Sequence, residues 1–179
     1  NSNVMDYVTI ASTGDAQDFG NLTDNKQLGN GAGSLTRFIH SGGVTYDQID
    51  YVAFDTTGDA SDFGDLVGWA RANAQGICTE SRIVNSAGGT GSGGRIDRVD
   101  YINPASTGNA SDFSNLVVNQ NYCSGNYSNG IRGEIWGGEY SGGIITNHQK
   151  WTIASPGAES GAGGDLSFAR KTFCGLSGD

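Results

Sequence analysis

Hydrophobic and polar positions recur along this chain in one repeated segment, which begins with an aromatic residue and ends with a leucine fifteen positions later. The aromatic residues are Tyr7, Tyr51, Tyr101 and Trp151, and the steps between them are 44, 50 and 50 residues. Periods of this length are typical of stacked or radially arranged supersecondary units. The pattern therefore predicts a fold in which one small unit is repeated.

Within a unit, the pattern predicts short strands. In the second unit, residues 69–78 and 82–87 are predicted strands, and apolar residues alternate with polar neighbours over 95–103, as in a half-buried strand. The next segment, STGNASDFSNL at 106–116, is expected to supply a turn and a short edge strand. Three or four short strands per unit are the content of one propeller blade.

The segment between the aromatic residue and the leucine carries a glycine and, four residues later, an aspartate that can shape a turn. The glycines, expected at positive φ, are Gly14, Gly58 and Gly108, and the aspartates, expected to accept backbone N–H groups, are Asp18, Asp62 and Asp112. The phenylalanines after them are expected to anchor the loop between units. A calcium loop is the alternative, but the ligand pattern of an EF-hand is missing.

Two further charges recur with the unit. An aspartate precedes the aromatic residue, and an arginine opens the strand that ends in Gly-Gly. These residues are Asp6, Asp50 and Asp100, and Arg37, Arg82 and Arg132. Opposite charges on neighbouring strands attract, and arginine binds a carboxylate through two hydrogen bonds. We therefore expect a cross-strand arginine–aspartate pair in each unit.

Composition narrows the fold class and the partners. The chain has 30 glycines and only 36% hydrophobic residues, which indicates many tight turns between short strands, while aromatic residues in register argue against disorder. The net charge of −9 disfavours binding to nucleic acid or to an anionic membrane surface. The sequence has no apolar run of the length that crosses a bilayer, so we expect no membrane insertion.

The three cysteines, Cys78, Cys123 and Cys174, each follow the closing leucine of a unit by seven to twelve residues. A small buried apolar residue that recurs with the unit explains this spacing better than a disulfide framework. The sequence has no zinc-ligand spacing, and we expect no cofactor and no metal ion.

A strand that ends in Gly-Gly (Gly42-Gly43, Gly88-Gly89 and Gly137-Gly138) and precedes a tyrosine-bearing strand resembles the kelch repeat of galactose-oxidase-type propellers. The segment DYVTIASTGDAQDFGNL, followed by the arginine and Gly-Gly, is similar to glycine-rich repeat proteins of marine bacteriophages. The late tryptophan of the kelch repeat is missing, and the Asp-Phe segment stands in its place. The resemblance implies a kelch-like β-propeller in a virion or tail.

The spacing of the leucines divides the single domain, 1–179, into units at 23–66, 67–116 and 117–166, with a fourth unit split between 167–179 and 1–22. We therefore expect an all-β, four-bladed propeller whose closing blade is shared between the two termini, which removes exposed strand edges. The alternatives are an excerpt of a longer array and a homo-oligomer in which a neighbouring subunit supplies the missing strand.

Catalytic motifs are missing from the sequence. His40 and His148 fall in different units, and no GxSxG, P-loop or HExxH motif is present. We therefore predict that the chain is not an enzyme. A carbohydrate-active enzyme with two paired carboxylates is the remaining enzymatic alternative.

Residues that depart from the repeat are better candidates for function, because the scaffold does not require them. Trp69 and Trp136 replace small or polar residues, Tyr140 follows nearby, and an insertion at 121–130 adds Tyr122 and Tyr127. Exposed aromatic rings beside amides and hydroxyls bind sugars or proteins. We predict a virion protein that presents these residues to a glycan or protein on the host surface. A purely structural assembly module, in contact with other virion subunits, is the alternative.

Overall fold

The computed structural model describes residues 2–157 and 164–172, which form an all-β structure. Fifteen strands lie within these residues. They are β1 (Ser2–Tyr7), β2 (Gln17–Lys26), β3 (Asn30–Gly33), β4 (Arg37–Ser41), β5 (Gln48–Ala53), β6 (Ser61–Asp65), β7 (Gln75–Cys78), β8 (Ile83–Ser86), β9 (Ile96–Ile102), β10 (Ser111–Gln120), β11 (Ser124–Ser128), β12 (Arg132–Trp136), β13 (Glu139–Tyr140), β14 (Gly143–Ile144) and β15 (His148–Thr152).

The strands form five antiparallel sheets, and none of the sheets closes on itself. The first unit is the meander β3-β4-β5-β6, the second unit is β7-β8-β9-β10, and the third unit is β11-β12-β15. The pair β1-β2 matches the third and fourth strands of a unit, and we call it the half unit. A small β13-β14 hairpin is inserted between β12 and β15. The predicted all-β class is confirmed.

Two predicted elements differ from the structure. The strand predicted at 69–78 begins only at Gln75, because the preceding residues form the connection between two sheets, with Asn73 at a φ of 56°. The predicted insertion at 121–130 contains β11, which pairs with β12 as the first strand of the third unit. Of its two tyrosines, Tyr127 therefore lies in a regular strand.

Hydrophobic cores lie between consecutive units rather than within one sheet. The core between the first and second units contains Ile39, Ile49, Phe63, Leu66, Ile83 and Ile102. The core between the second and third units contains Ile77, Val84, Ala87, Val99, Phe113, Leu116, Cys123, Ile135, Trp151 and Ile153. The expected role of the phenylalanines is confirmed at Phe63 and Phe113, which also meet Tyr51 and Tyr101 edge to face.

The loop after the third strand contains Thr57-Gly58 in the first unit and Thr107-Gly108 in the second, and we call it the Thr-Gly loop. Backbone hydrogen bonds join this loop to the fourth strand of the preceding unit. Gly58 N–H donates to Phe19 O at 2.7 Å, and Gly108 N–H donates to Phe63 O at 2.7 Å. The side chain next to this glycine accepts a backbone N–H of the same strand, as Asp59 Oδ1 does from Asn21 at 2.9 Å. The loop is thus part of the contact between units, and the expected turn bond is confirmed at Asp62, which accepts from Gly64 N–H.

The expected positive φ of the loop glycines is correct at Gly108 but wrong at Gly14 and Gly58, whose φ lies outside that region. Positive φ occurs instead at Gly20 and Gly64 on the fourth strands, at 145° and 143°. These glycines are needed because the next loop comes very close. A Cβ built on Gly64 lies 2.5 Å from the Gly108 carbonyl.

A buried polar pair joins consecutive units, and we call its two positions the junction pair. The first position follows the fourth strand of one unit, or ends it, and the second lies on the third strand of the next unit. The pairs are Lys26–Asp50 (2.7 Å), Arg71–Asp100, and Gln120–Gln149 (3.1 Å). In both ion pairs, the two side chains are 0% exposed. The third pair is neutral and makes the same connection.

The expected cross-strand arginine–aspartate pair is wrong, because the strand register separates the two residues. Arg37 lies opposite Ala53, whereas Asp50 lies opposite His40. The Arg37 guanidinium instead covers the Tyr51 ring at 4.7 Å. It also donates to the backbone carbonyl of Pro104, at 2.8 Å, in the next unit.

Arg82 repeats this arrangement one unit later. Its guanidinium lies 4.3 Å from the centre of the Tyr101 ring and donates to Ile153 O at 2.7 Å. Arg37 and Arg82 therefore each contact the tyrosine of their own unit and a carbonyl of the next unit, while Asp50 and Asp100 belong to the junction pairs.

The fourth aromatic residue is shifted by one position from its predicted alignment. Trp136 pairs with His148 where Ser41 pairs with Ile49, so Lys150 occupies the position of Tyr51. Trp151 is consequently a core residue, 3% exposed.

The glycine pair of the second unit is also shifted. Ala87 N–H bonds to the third strand, as Gly42 N–H does, so the pair is Ala87-Gly88 rather than Gly88-Gly89. Ala87 adopts a φ of 59°, which is unusual for a residue with a side chain.

Closure of the ring falls partly outside the described residues, since 173–179 belong to the predicted shared blade. Within the described part, the half unit pairs only β1 with β2. The split fourth unit therefore stays a prediction.

We expect Gly64→Ala to lower the free energy of unfolding by more than about 2 kcal/mol, because the new Cβ meets backbone and the φ is unfavourable for alanine. Gly58→Ala is the matched control, since no atom lies within 4 Å of its Cβ position. Urea denaturation compares the two variants. Equal losses would contradict the close approach of neighbouring units.

Candidate binding surface

Trp69 is the most exposed of the predicted binding residues, with 66% of its surface accessible. It lies in the connection between β6 and β7, next to Gly68 at a φ of 89°. Arg98 holds this connection by donating from Nη1 to Val67 O at 2.8 Å. Two residues after Trp69, the buried Arg71 binds Asp100. The ring is therefore presented to solvent by a connection that is fixed on both sides.

Trp136 lies at the end of β12 and is half-buried. Its ring stacks on the His148 ring at 3.7 Å with an interplanar angle of 5°, and Tyr127 meets it edge to face at 6.5 Å. His148 Nε2 lies 3.2 Å from Glu134 Oε2. One face of Trp136 is thus used within the protein, which leaves less of the ring for a ligand than at Trp69.

Tyr122 and Tyr140 lie near a cluster of charges. Lys171 Nζ lies 5.3 Å from the centre of the Tyr122 ring, and Tyr122 itself has a φ of 51°. Tyr140, on β13, is 36% exposed. The structure brings Tyr127 and Trp136 together, and among the described residues no ring contact joins Trp69 to the other four predicted residues.

Glu139 is a charged residue of this region that the sequence analysis missed. Its carboxylate binds Lys171 and Arg95, and hydrogen bonds from Lys171 and then Arg95 lower the pKa of the carboxyl group. Arg95 also donates from Nε to Asn121 Oδ1 at 3.2 Å. The signal in the sequence is the long connection after Gly138, which holds β13 and β14 and has no counterpart in the first unit.

An apolar cleft of about 390 Å³ lies between the half unit and the first unit. It takes the place of the filled core of the other junctions, and among the described residues only β1 and β2 form the half unit beside it. Its lining residues are Val4, Met5, Asp6, Tyr7, Phe19, Leu22, Phe38, His40, Val52 and Phe54. Burial, and then Lys26, lower the pKa of His40 in this cleft.

A second groove, of about 660 Å³, crosses the first strands of the three units. It is lined in part by Ala32 on β3, Cys78 on β7 and Ser128 on β11. Cys78 is a free thiol at its edge. Cys123 is buried, which raises the pKa of its thiol to about 12, so this cysteine fits the predicted role of a small core residue. Cys174 lies outside the described residues.

No metal-binding cluster occurs among the described residues, where no three or more histidine, cysteine, aspartate or glutamate side chains are placed to hold an ion. Nor do these residues form a helix that is long and apolar enough to cross a membrane.

No protein-family model matches the chain, and no curated protein is similar to it.

The lowered pKa of His40 predicts a dependence of stability on pH. The folded protein disfavours the charged imidazole, so the free energy of unfolding should fall as the pH drops through about 6.5, where the unfolded chain takes up the proton. His40→Gln should remove this slope between about pH 7.5 and pH 5.5, a window above carboxylate titration. Chemical denaturation across that window measures it, and an unchanged slope in the variant would refute the assignment.

Proposed function

We propose that this chain is a non-enzymatic, kelch-like β-propeller of a phage virion or tail, which recognises a glycan or protein on the host surface. The observation that carries the proposal is Trp69, an exposed ring on a connection fixed by Arg98 and Arg71. An exposed tryptophan leaves a large apolar surface in contact with water, and Trp69 is not part of either hydrophobic core. Rigidly held aromatic side chains are typical anchors of binding surfaces.

The arrangement of the units supports the propeller. The first and second units are four-stranded antiparallel meanders, which is the order within a propeller blade. They pack on one another through their sheet faces and through loop-to-strand hydrogen bonds. The virion location rests on the resemblance of the repeat segment alone.

The partners of the recurring charges support a role without catalysis. Asp50 and Asp100 are buried in the junction pairs, and Arg37 and Arg82 fasten neighbouring units. These residues hold the scaffold together, so they are not available as a catalytic pair. A protein that binds its target needs no such pair.

A structural assembly module is the second candidate. It is favoured by the half unit, where apolar side chains are exposed and Ile10 is 99% accessible. Exposed apolar residues beside an open strand edge are typical of sites where another chain docks.

We expect wild-type protein to bind a subset of an array of glycans and bacterial surface polysaccharides, and Trp69→Ala to bind them more weakly by about tenfold or more. Phe168→Ala is the matched control, because Phe168 is a similarly exposed aromatic residue. Absence of binding by the wild type, or equal binding by both variants, would contradict recognition through Trp69.

A further inference from the structure

The turn between the first two strands recurs in the three units, but only the third unit builds it from asparagine and glycine. Its first residue is Ser34, Thr79 or Asn129, whose backbone N–H donates to the carbonyl of the arginine three positions later, at 2.9, 2.8 and 3.3 Å. The side chain of this first residue accepts the N–H of the same arginine, at 3.2, 3.1 and 2.8 Å. A hydroxyl group is therefore sufficient for the turn, and the fold does not require an amide there.

Asn129 differs chemically from the hydroxyl residues at its position. Its side-chain amide has an electrophilic carbon, Cγ, and a nitrogen that is able to leave as ammonia. The next residue is Gly130, at a φ of 78°, whereas Leu35 and Glu80 follow the hydroxyl residues. Asn129 and Gly130 are both exposed, and no atom beyond the chain neighbours lies within 4 Å of a Cβ built on Gly130. No side chain therefore shields the Gly130 nitrogen.

Hydrogen bonds hold the Asn129 side chain over the peptide group that follows it. Its Oδ1 accepts Ile131 N–H at 3.1 Å and Arg132 N–H at 2.8 Å. An asparagine whose oxygen accepts from the residue two positions ahead forms an Asx turn, which folds Cγ back towards the intervening backbone nitrogen. Such preorganisation lowers the barrier to attack within the chain. The same two N–H groups stabilise the negative charge that develops on Oδ1 when a nucleophile adds to Cγ.

The Gly130 nitrogen is also free of strand pairing. Gly130 lies between β11 and β12, and its N–H donates to Ser128 Oγ at 3.1 Å. A reaction at this nitrogen therefore breaks no hydrogen bond between strands.

We propose that Asn129 deamidates spontaneously in the folded protein. The Gly130 nitrogen attacks Asn129 Cγ, and the new C–N bond closes a succinimide ring. The bond from Cγ to Nδ2 breaks, and the proton that the Gly130 nitrogen loses leaves with Nδ2 as ammonia. Water then hydrolyses the ring at either carbonyl, which leaves aspartate or isoaspartate at position 129. Water is the only other reactant.

The second Asn-Gly sequence of the chain, Asn30-Gly31, lacks these features. Asn30 begins β3, is 6% exposed, and donates from Nδ2 to Asn85 Oδ1 at 2.6 Å. Gly31 lies opposite His40 in the pairing of β3 with β4. A succinimide bends the chain away from the extended form, so the strand must open before Asn30 reacts. The chain thus carries its own control.

Deamidation changes the groove of about 660 Å³ that Ser128 and Gly130 line, because it adds a carboxylate at the rim. Aspartate keeps an acceptor oxygen for the N–H groups of Ile131 and Arg132, and therefore keeps the turn. Isoaspartate adds a carbon to the main chain, which disturbs the pairing of β11 with β12. The charge and shape of this rim consequently change with the age of the protein. The inference does not depend on recognition through Trp69.

Peptide mass spectrometry after incubation at neutral pH tests the proposal. In the folded protein, we expect conversion of Asn129 to be more than about tenfold faster than conversion of Asn30, which waits for strand opening. In guanidinium chloride, the two sites should react at similar rates, and Asn129 should react no faster than in the folded protein. Asn129→Ser copies Ser34, so it should keep the fold and give the background of isoaspartate from other residues.

Three results would overturn the proposal. The first is an Asn129 that stays unchanged in the folded protein, and the second is an equal rate at Asn30 and Asn129 there. The third is a rate at Asn129 that rises on unfolding, which would show that the hydrogen bonds to Oδ1 protect the amide instead of activating it. Circular dichroism of the incubated protein confirms that the folded samples stay folded.

Discussion

The structure depends on a buried polar pair at every junction between units. Hydrogen bonds between strands hold each sheet together, but they do not fix how one sheet packs on the next. The pairs Arg71–Asp100 and Gln120–Gln149 fix this packing, because a shift of one unit would leave a buried polar group without its partner. Burial lowers the pKa of Arg71 to about 10, so the guanidinium stays charged at neutral pH. The neutral third pair indicates that a satisfied hydrogen bond is the common requirement.

The residues that recur in the repeat are the ones that hold neighbouring units together. The repeat places glycines where the next loop approaches, and arginines where the next carbonyl lies, so these positions cannot vary without loss of packing. Trp69 is exposed and does not hold units together, although it lies between Val67 and Arg71, whose contacts fix the connection. The proposed recognition through Trp69 therefore uses a departure from the repeat, whereas the repeated residues hold neighbouring units together.

The repeat period and the alternation of apolar residues were enough to predict the all-β class, since the class follows from local sequence. Pairing across units was not predictable in this way. The partner of Asp100 is Arg71, which is not part of the repeated segment. A one-residue shift places Trp151 in the core, whereas Tyr51 and Tyr101 are half-buried. A shift of one residue reverses the face of a strand, and only the three-dimensional register reveals it.

A thermodynamic double-mutant cycle at the second junction tests the central role of the pair most directly. Arg71→Gln and Asp100→Gln should each lower the free energy of unfolding by about 3–5 kcal/mol, because each leaves a buried charge alone. The double variant reproduces the neutral Gln120–Gln149 pair and should recover most of that loss. Two losses that simply add would contradict the account.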